Sequence, residues 1–344
     1  MATRLILGLS DLENGPVLQR ARQLGADVLI SANRLSQWQQ IDGVREWCGF
    51  RTTPLALLDG LNCWLDSAGF VAMKRYNGFP WSAEAYVALA AAYPFVRWAS
   101  MDYCVEEEIA RHKGEVRDRI ARTVGANYLC YSLGRQHSIS HTFMPVIQGR
   151  SADDYVRCIE AMASLVDDHE VVGVGSMCRR QVHGPDGILQ VISILDQVLA
   201  GRPTRLHLFG LKSQGAEAVR AHPRVFSVDS QAYGTAARWD ALKAGQVKTN
   251  RFVADVMEKW VDGQRRRLAK GGFAFQGALA LSEPPSHLSA WDVAEEKARA
   301  QLRELIEAGE IDHDQITDRW VMELAGQILA GEEVAAPADC GLAA

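Results

Sequence analysis

The stretch FMPVIQGRSADDYVRCIEAMASLVDDHEVVGVGS, residues 143–176, alternates apolar and polar segments in a way that indicates the fold. Apolar, β-rich runs at 143–149 and 171–176 predict two strands. Between them Ser151 is a suitable helix N-cap, and apolar residues then recur with helical spacing at Tyr155, Cys158, Ile159, Met162 and Leu165. A strand, a helix and a strand in this order predict a parallel βαβ unit.

The same alternation extends over most of the chain. Six more apolar runs predict strands at 4–9, 27–31, 63–67, 96–102, 205–210 and 225–230. Eight strands separated by helical segments favour an α/β fold, a closed (β/α)8 TIM barrel, over residues 1–245. A doubly wound open sheet is the alternative, but no GxGxxG follows the first strand. Residues 246–344 are predicted to form a helical C-terminal extension.

Composition limits the class of protein. The 344 residues include 48% hydrophobic side chains and carry a formal net charge of −5, which argues against a protein that coats nucleic acid indiscriminately. No apolar run reaches the roughly 18 residues of a membrane span, so we expect no membrane association. Seven widely spaced cysteines without a CxxC pair predict reduced thiols, a cytoplasmic location and no zinc-ligand cluster.

Polar residues or glycines stand at the carboxyl ends of five predicted strands: Asp66, Asp102, Gln148, the pair Gly173 and Gly175, and Asp229. In a (β/α)8 barrel these ends converge on the face where active sites are built. Each residue alone is more often a helix N-cap or a turn residue, and the glycines either cradle phosphate or simply allow close packing. Their joint placement favours a functional site.

Three acids and an amide at one end of a barrel suit a particular chemistry. Two carboxylates can act as nucleophile and proton shuttle when their surroundings separate their pKa values. A third acid with a glutamine matches the edge of a purine-like ring, which presents N–H groups and a carbonyl. Phe70, Tyr103 and Met177 are close to these residues in the sequence and can stack on or cover a flat base. A carboxylate that attacks a sugar anomeric carbon, with a base as leaving group, follows glycosidase logic.

A resemblance to a known family rests on six motifs, in this order: LDSAGF, MDYC, PVIQG, VGVGSMCRRQ, HLFGLKS and SVDSQAYGTAAR. Together they resemble the tRNA-guanine transglycosylase superfamily, and most of all its DNA-modifying branch, the DpdA family, over roughly residues 60–240. The resemblance implies a TIM-barrel enzyme that exchanges guanine in DNA for a 7-deazaguanine such as preQ0, without ATP or a redox cofactor.

The resemblance also implies roles for single residues. Asp229 stands at the position of the nucleophile that attacks C1′ of the nucleotide and holds a covalent glycosyl intermediate, and Asp66 stands at the position of the acid/base. The positions that bind the heterocycle in the family match Asp102, Gln148, Gly173, Gly175 and Ser176.

Two departures from the family pattern stand out. Ala68 replaces a glycine of the family's Asp-Ser-Gly-Gly-aromatic motif, and the added methyl group is expected to narrow the turn or the pocket. Many relatives also carry a zinc site of clustered Cys and His, whereas only Cys340 follows Asp229 here. We therefore expect a chain without zinc or another cofactor, in which the C-terminal extension replaces the support that zinc gives to the nucleic-acid-binding segment.

Cations that could meet phosphate lie in two places. Lys212 and Arg238 fall within matching motifs, and Arg265, Arg266 and Arg267 form a basic cluster at a predicted helix end. Such a cluster is about as often a solvated helix terminus as a binding site. DNA is the expected nucleic acid, with tRNA as the alternative, and its guanine must be flipped out or single-stranded.

Other classes of function stay open at this stage. A barrel hydrolase that cleaves a glycosidic bond without inserting a base uses the same two carboxylates. A catalytically silent nucleic-acid-binding barrel would not need all three acids. The resemblance further leads us to expect a protein of a bacterial or phage-infected cell, acting as a homodimer or with a partner subunit.

Overall fold

The computed structural model describes residues 3–269 and 290–308, together with residues 321, 322, 324–326 and 328. Its strands, in chain order, are β1 (Arg4–Gly8), β2 (Asp27–Ser31), β3 (Ser36–Ile41), β4 (Val44–Phe50), β5 (Cys63–Asp66), β6 (Arg97–Ala99), β7 (Phe143–Met144), β8 (Val146–Ile147), β9 (Val171–Val174), β10 (Arg205–Leu208) and β11 (Val225–Ser230). Its helices are α1 (Pro16–Gln23), α2 (Gly69–Tyr76), α3 (Ala83–Ala91), α4 (Lys113–Gln136), α5 (Ala152–Ala161), α6 (Ala163–Asp167), α7 (Ile188–Val198), α8 (Ser213–Val219), α9 (Ala232–Lys243), α10 (Asn250–Ala269) and α11 (Ala290–Ala308).

Nine of these strands form one parallel sheet that curves into a barrel. Their order is β7-β6-β5-β2-β1-β11-β10-β9-β8, and β1 pairs with both β2 and β11. Pro145, which has no N–H to donate, separates β7 from β8, so the two are halves of one strand. The Met144 carbonyl accepts from Ser100 N at 3.0 Å and the Pro145 carbonyl from Gly173 N at 2.8 Å, which joins both neighbours to this strand. The predicted eight strands and the TIM barrel are confirmed.

A β-bulge in β11 adds one extra side chain to the barrel interior. Leu206 of β10 pairs with Val225, but His207 pairs with Ser227, so the residue between them is extra. The side chain of this extra residue, Phe226, packs with Trp64 inside the barrel, whereas Val225 belongs to the cluster between sheet and helices. After the bulge, Ser227 and Asp229 share the interior face with His207.

The connection between β2 and β5 contains a hairpin that the sequence reading missed. β3 and β4 pair antiparallel around Asp42 and Gly43, whose φ angles of 49° and 80° are typical of a two-residue hairpin turn. Trp47 of β4 packs against Trp81, with ring centroids 6.2 Å apart, which anchors the hairpin to the barrel wall.

The helix predicted after Ser151 is present in two parts. Ser151 Oγ accepts from Asp154 N at 3.3 Å and Asp154 Oδ2 accepts from Ser151 N at 3.0 Å, which completes a capping box. Met162, with a φ of −131°, separates α5 from α6. The apolar face of α5 then packs on the sheet through Tyr155 and Ile159, both buried.

Helix α10 packs on the barrel although the sequence boundary was expected at residue 245. Arg20 of α1 forms ion pairs with Asp255, at 2.9 Å, and with Glu258. Trp260 lies 6.1 Å from the ring of Tyr233 in α9. The chain divides into compact units at 1–277 and 278–344, so α10 belongs to the first of them.

The second unit is described only in part. Helix α11 buries three residues on one face, Ala294, Ala298 and Leu302, and Val321, Leu324 and Ala325 belong to the same apolar cluster. Cys340 lies outside the described residues. Across the described parts of both units, no helix combines the length and apolar character needed to cross a membrane.

Two glycines of α4 give a matched test of the packing. A Cβ at Gly134 would lie 2.7 Å from Cζ2 of the fully buried Trp98, whereas a Cβ at Gly125 meets nothing within 4 Å. We expect Gly134→Ala to lower the free energy of unfolding by about 1–3 kcal/mol, because the indole must move. Gly125→Ala should raise it by about 0.5–1 kcal/mol through helix propensity. Urea unfolding of both variants checks this, and a shift of the same sign in both would contradict the described packing.

Candidate active site

Asp66 ends β5 at the carboxyl end of the barrel. Its Oδ2 accepts from Ala68 N at 3.1 Å, and its other hydrogen-bond partner is the Ser31 hydroxyl on the neighbouring strand β2. Ala68 has a φ of 67°, the left-handed region that favours glycine. The backbone turn is therefore retained although alanine stands in the motif, at some cost in strain.

Asp102 is the centre of a buried chain of hydrogen bonds. Its Oδ1 accepts from Ser67 Oγ at 2.8 Å, and its Oδ2 accepts from Gln148 Nε2. Gln148 Oε1 in turn accepts from Ser176 Oγ at 2.7 Å. Burial raises the pKa of Asp102, while the hydrogen bonds from Ser67 and Gln148 oppose that rise. This chain of hydrogen bonds holds the Asp102 carboxyl and the Gln148 amide side by side.

Glycines allow this network to close. A Cβ on Gly175 would lie 2.1 Å from Gln148 Nε2, and one on Gly69 would lie 2.6 Å from Asp102 Oδ1. A Cβ on Gly173 would lie 2.5 Å from Cε2 of Phe209. At all three positions a larger residue would displace a side chain that lines the site, so close approach is the physical reason for glycine here.

Asp229 lies on β11 across two strands from Asp66 and is 8% exposed. Its Oδ1 accepts from Gly210 N at 2.8 Å, and His207 Nε2 lies 3.3 Å from the same oxygen. Gly210 has a φ of 64°, so a turn that favours glycine presents this N–H. The contacts that the described residues make with the carboxylate fall on Oδ1, which leaves Oδ2 for a ligand.

The three acids share one electrostatic environment. Burial, followed by the charges of Asp102 and Asp229, raises the pKa of Asp66 from 3.8 to about 7. Near neutral pH Asp66 can therefore both donate and accept a proton. The arrangement can supply a fixed carboxylate at Asp229 and a proton shuttle at Asp66.

Of the three residues predicted to cover the base, two are partly exposed and one is buried. Phe70 is partly exposed, and the Arg179 guanidinium lies 5.2 Å from its ring centroid. Tyr103 is partly exposed and packs edge-on against Phe79 at 5.4 Å. Met177 is 1% exposed and its sulfur lies 3.6 Å from the Tyr155 hydroxyl, so it lies inside the wall of the barrel.

The predicted cations fall at opposite ends of the barrel. Lys212 follows β10 at the carboxyl end and is exposed, and Arg238 is exposed on α9. Arg265 instead donates to the Leu24 carbonyl at 2.8 Å, just before β2 begins. Arg266 and Arg267 share this last turn of α10. The basic cluster therefore lies at the amino end, and the structure does not bring it to the acids.

Several residues near the acids were missed by sequence reasoning. His207 and Phe209 stand in an apolar strand, with ring centroids 4.6 Å apart. Arg180 joins two strand-end loops, because its Nη2 donates to the Gly149 carbonyl at 3.0 Å and to the Tyr155 hydroxyl at 3.2 Å. The sequence signal for His207 and Phe209 is a histidine in an apolar strand, two residues before the Phe-Gly that ends it.

A metal site would need clustered His, Cys, Asp or Glu side chains. Among the residues that the structure describes, no group of three or more His, Cys, Asp or Glu side chains is arranged to hold a metal ion. The expectation of a chain without zinc stays a prediction, since residues beyond 269 are described only in part.

Acids, an amide and glycines gathered at the carboxyl end of a closed (β/α)8 barrel define a TIM-barrel enzyme site. The family model of DpdA, described as deoxypurine in DNA protein A, matches residues 43–305, and the chain belongs to this family. Membership implies transglycosylase activity in the 7-deazaguanine modification of DNA. No curated protein is significantly similar to the chain.

The raised pKa of Asp66 predicts a pH-dependent cost to stability. Below the ordinary value of 3.8 the carboxyl is protonated in both states, and between 3.8 and about 7 only the unfolded chain releases the proton. The free energy of unfolding should therefore fall as pH rises through this window and level off above it. Asp66→Asn should remove this decline, at most about 4 kcal/mol and less if water reaches the partly exposed carboxyl. Urea unfolding of both proteins at several pH values checks this, and parallel pH profiles would contradict it.

Proposed function

We propose that this protein is a DNA-guanine transglycosylase that replaces guanine in DNA by a 7-deazaguanine base such as preQ0. The observation that carries the proposal is the Asp229 carboxylate, whose Oδ1 is held by Gly210 N while Oδ2 is left for attack. Family membership supports DNA as the substrate. The free base and DNA are then the partners, no cofactor is needed, and the reaction takes place in the cytoplasm of a bacterial or phage-infected cell.

The first half-reaction removes guanine. Asp229 Oδ2 attacks C1′ of the target nucleotide, a C1′–O bond forms, and the bond from C1′ to guanine breaks. The bonding electrons leave with guanine, which takes a proton from Asp66. The near-neutral pKa of Asp66 supports this role, because a large fraction of the carboxyl is protonated at pH 7.

The second half-reaction inserts the new base. The 7-deazaguanine loses the proton of its attacking nitrogen to Asp66, that nitrogen bonds to C1′, and the Asp229 ester bond breaks. The carboxylate of Asp229 and the proton on Asp66 are both restored, so the cycle balances without a further reactant. Water in place of the base would give the hydrolase alternative.

Recognition of the base is assigned to the buried polar chain. Asp102 accepts N–H groups, and Gln148, held by Ser176, presents its amide beside it. The backbone of Gly173 and Gly175 allows the ring to approach. Phe70 and Tyr103 are the candidate stacking surfaces because both are partly exposed.

Access to the site requires an extrahelical base. A guanine stacked in a duplex cannot reach a carboxylate at a barrel end, so it must be flipped out or single-stranded. Lys212 stays the candidate phosphate contact at this end, and Arg238 on α9 stays a second candidate. Action as a homodimer or with a partner subunit stays a prediction.

One assay tests the proposed function. DNA and tRNA labelled in guanine are incubated separately with the protein and preQ0, and label release and base incorporation are followed by mass spectrometry. Release with incorporation into DNA supports the proposal. Incorporation into tRNA alone would favour the tRNA reaction, and release without incorporation would favour a hydrolase.

Removal of the proposed nucleophile gives the most direct test by mutation. Asp229→Ala should abolish guanine release and the covalent protein–DNA complex, because no oxygen is left to form the ester. The complex is measured by denaturing electrophoresis, with circular dichroism as a check of folding. A variant that is folded and still fully active would exclude Asp229 as the nucleophile.

Base recognition is tested by adding one methyl group. Gly175→Ala places a Cβ against the Gln148 amide, so it should weaken preQ0 binding by about 1–3 kcal/mol, measured by calorimetry. Gly125→Ala adds the same methyl in open space and serves as the control. Equal affinities of the two variants would remove Gln148 from base recognition.

A further inference from the structure

We infer that His207 is a positioning residue that orients the Asp229 carboxylate for attack, an inference that rests on the proposed function. His207 is fully buried on β10, and its Nε2 lies 3.3 Å from Asp229 Oδ1. No residue role assigned above uses this side chain. Its ring packs between Trp64, at 5.1 Å, and Phe209, at 4.6 Å, which leaves it little rotational freedom.

The hydrogen bond on the far side of the ring determines where the proton can be. His207 Nδ1 lies 2.8 Å from Ser227 Oγ, a group that can donate as well as accept. When the Ser227 hydroxyl donates to Nδ1, the neutral imidazole carries its hydrogen on Nε2. That hydrogen is on the side of the ring facing Asp229.

The contact between His207 and Asp229 is close but not yet aligned. Although the distance is 3.3 Å, Nε2 has no hydrogen-bond partner of acceptable geometry among the described residues. A buried donor without a partner is unfavourable, so a small rotation of the carboxylate toward Nε2 is favoured. Catalytic hydrogen bonds commonly tighten in this way when substrate binds.

Two donors on one oxygen explain how the carboxylate is directed. Gly210 N already donates to Oδ1, and His207 Nε2 would be the second donor to the same atom. With Oδ1 held at two points, Oδ2 can face C1′ in one orientation. Because the ester keeps Oδ1 as its carbonyl oxygen, both donors remain satisfied in the covalent intermediate.

A matched pair of variants separates positioning from packing. The amide nitrogen of His207→Gln can occupy the place of Nε2, whereas that of His207→Asn reaches only the level of Nδ1. We expect His207→Asn to slow formation of the covalent complex with guanine-containing DNA by about 100-fold, and His207→Gln to recover most of the rate. The affinity for preQ0 should be unchanged in both, because Asp102 and Gln148 are intact.

His222 provides the control variant. His222→Asn removes another buried histidine, away from the acids, and should keep the wild-type rate. Equal rates of the Gln and Asn variants, whether fast or slow, would overturn the positioning role, as would a loss of preQ0 affinity that parallels the loss of rate. Thermal unfolding confirms that each variant is folded.

Failure of this inference is distinguishable from failure of the proposed function. If Asp229→Ala still forms the covalent complex, the proposed nucleophile is wrong and the role of His207 falls with it. If Asp229→Ala is inactive while His207→Asn keeps the wild-type rate, only the positioning role is wrong.

Discussion

Pairing of β1 with β11 closes the sheet, and the site depends on this closure. Ile6 of β1 is opposite Asp229 on one side and opposite Asp27 on the other, so the last acid of the chain lies beside the first strand. At the carboxyl ends of the strands, Asp102 and Gln148 are buried. Because buried polar groups must be paired, the residues at these ends form connected hydrogen bonds rather than separate contacts. The Ser67–Asp102–Gln148–Ser176 chain is the result.

The same burial gives three aspartates different properties. Asp102 is compensated by two side-chain donors, and Asp229 by the N–H of a glycine turn. Asp66 has a backbone N–H and one hydroxyl, and it also experiences the charges of the other two acids. Burial and these two charges raise the pKa of its carboxyl to about 7, since like charges in one pocket disfavour full ionisation. The three aspartates therefore differ through the donors and charges around them and not through residue type.

How much was predictable depends on whether a feature is local. The strands Asp27–Ser31 and Val225–Ser230 match their predicted bounds, because short apolar runs between polar segments are a local signal. The acids could be grouped because carboxyl ends of parallel strands always meet. The hairpin at Ser36–Phe50 was missed: its apolar residues are scattered aromatics, although Asp42-Gly43 is a turn signal. The position of Arg265 could not be predicted, because α10 packs against α1 through ion pairs that no local pattern reveals.

The extra residue in β11 has a consequence for the comparison of homologues. Val225 and Ser227 pair with consecutive residues of β10, so loss of Phe226 alone would leave a regular strand in which Asp229 still faces the barrel interior. The aromatic ring that packs with Trp64 would be lost, whereas the carboxylate would stay at the pocket. A relative with a single-residue gap at Phe226 can therefore keep the nucleophile in place, whereas a gap between Ser227 and Asp229 would turn the carboxylate to the other face of the strand.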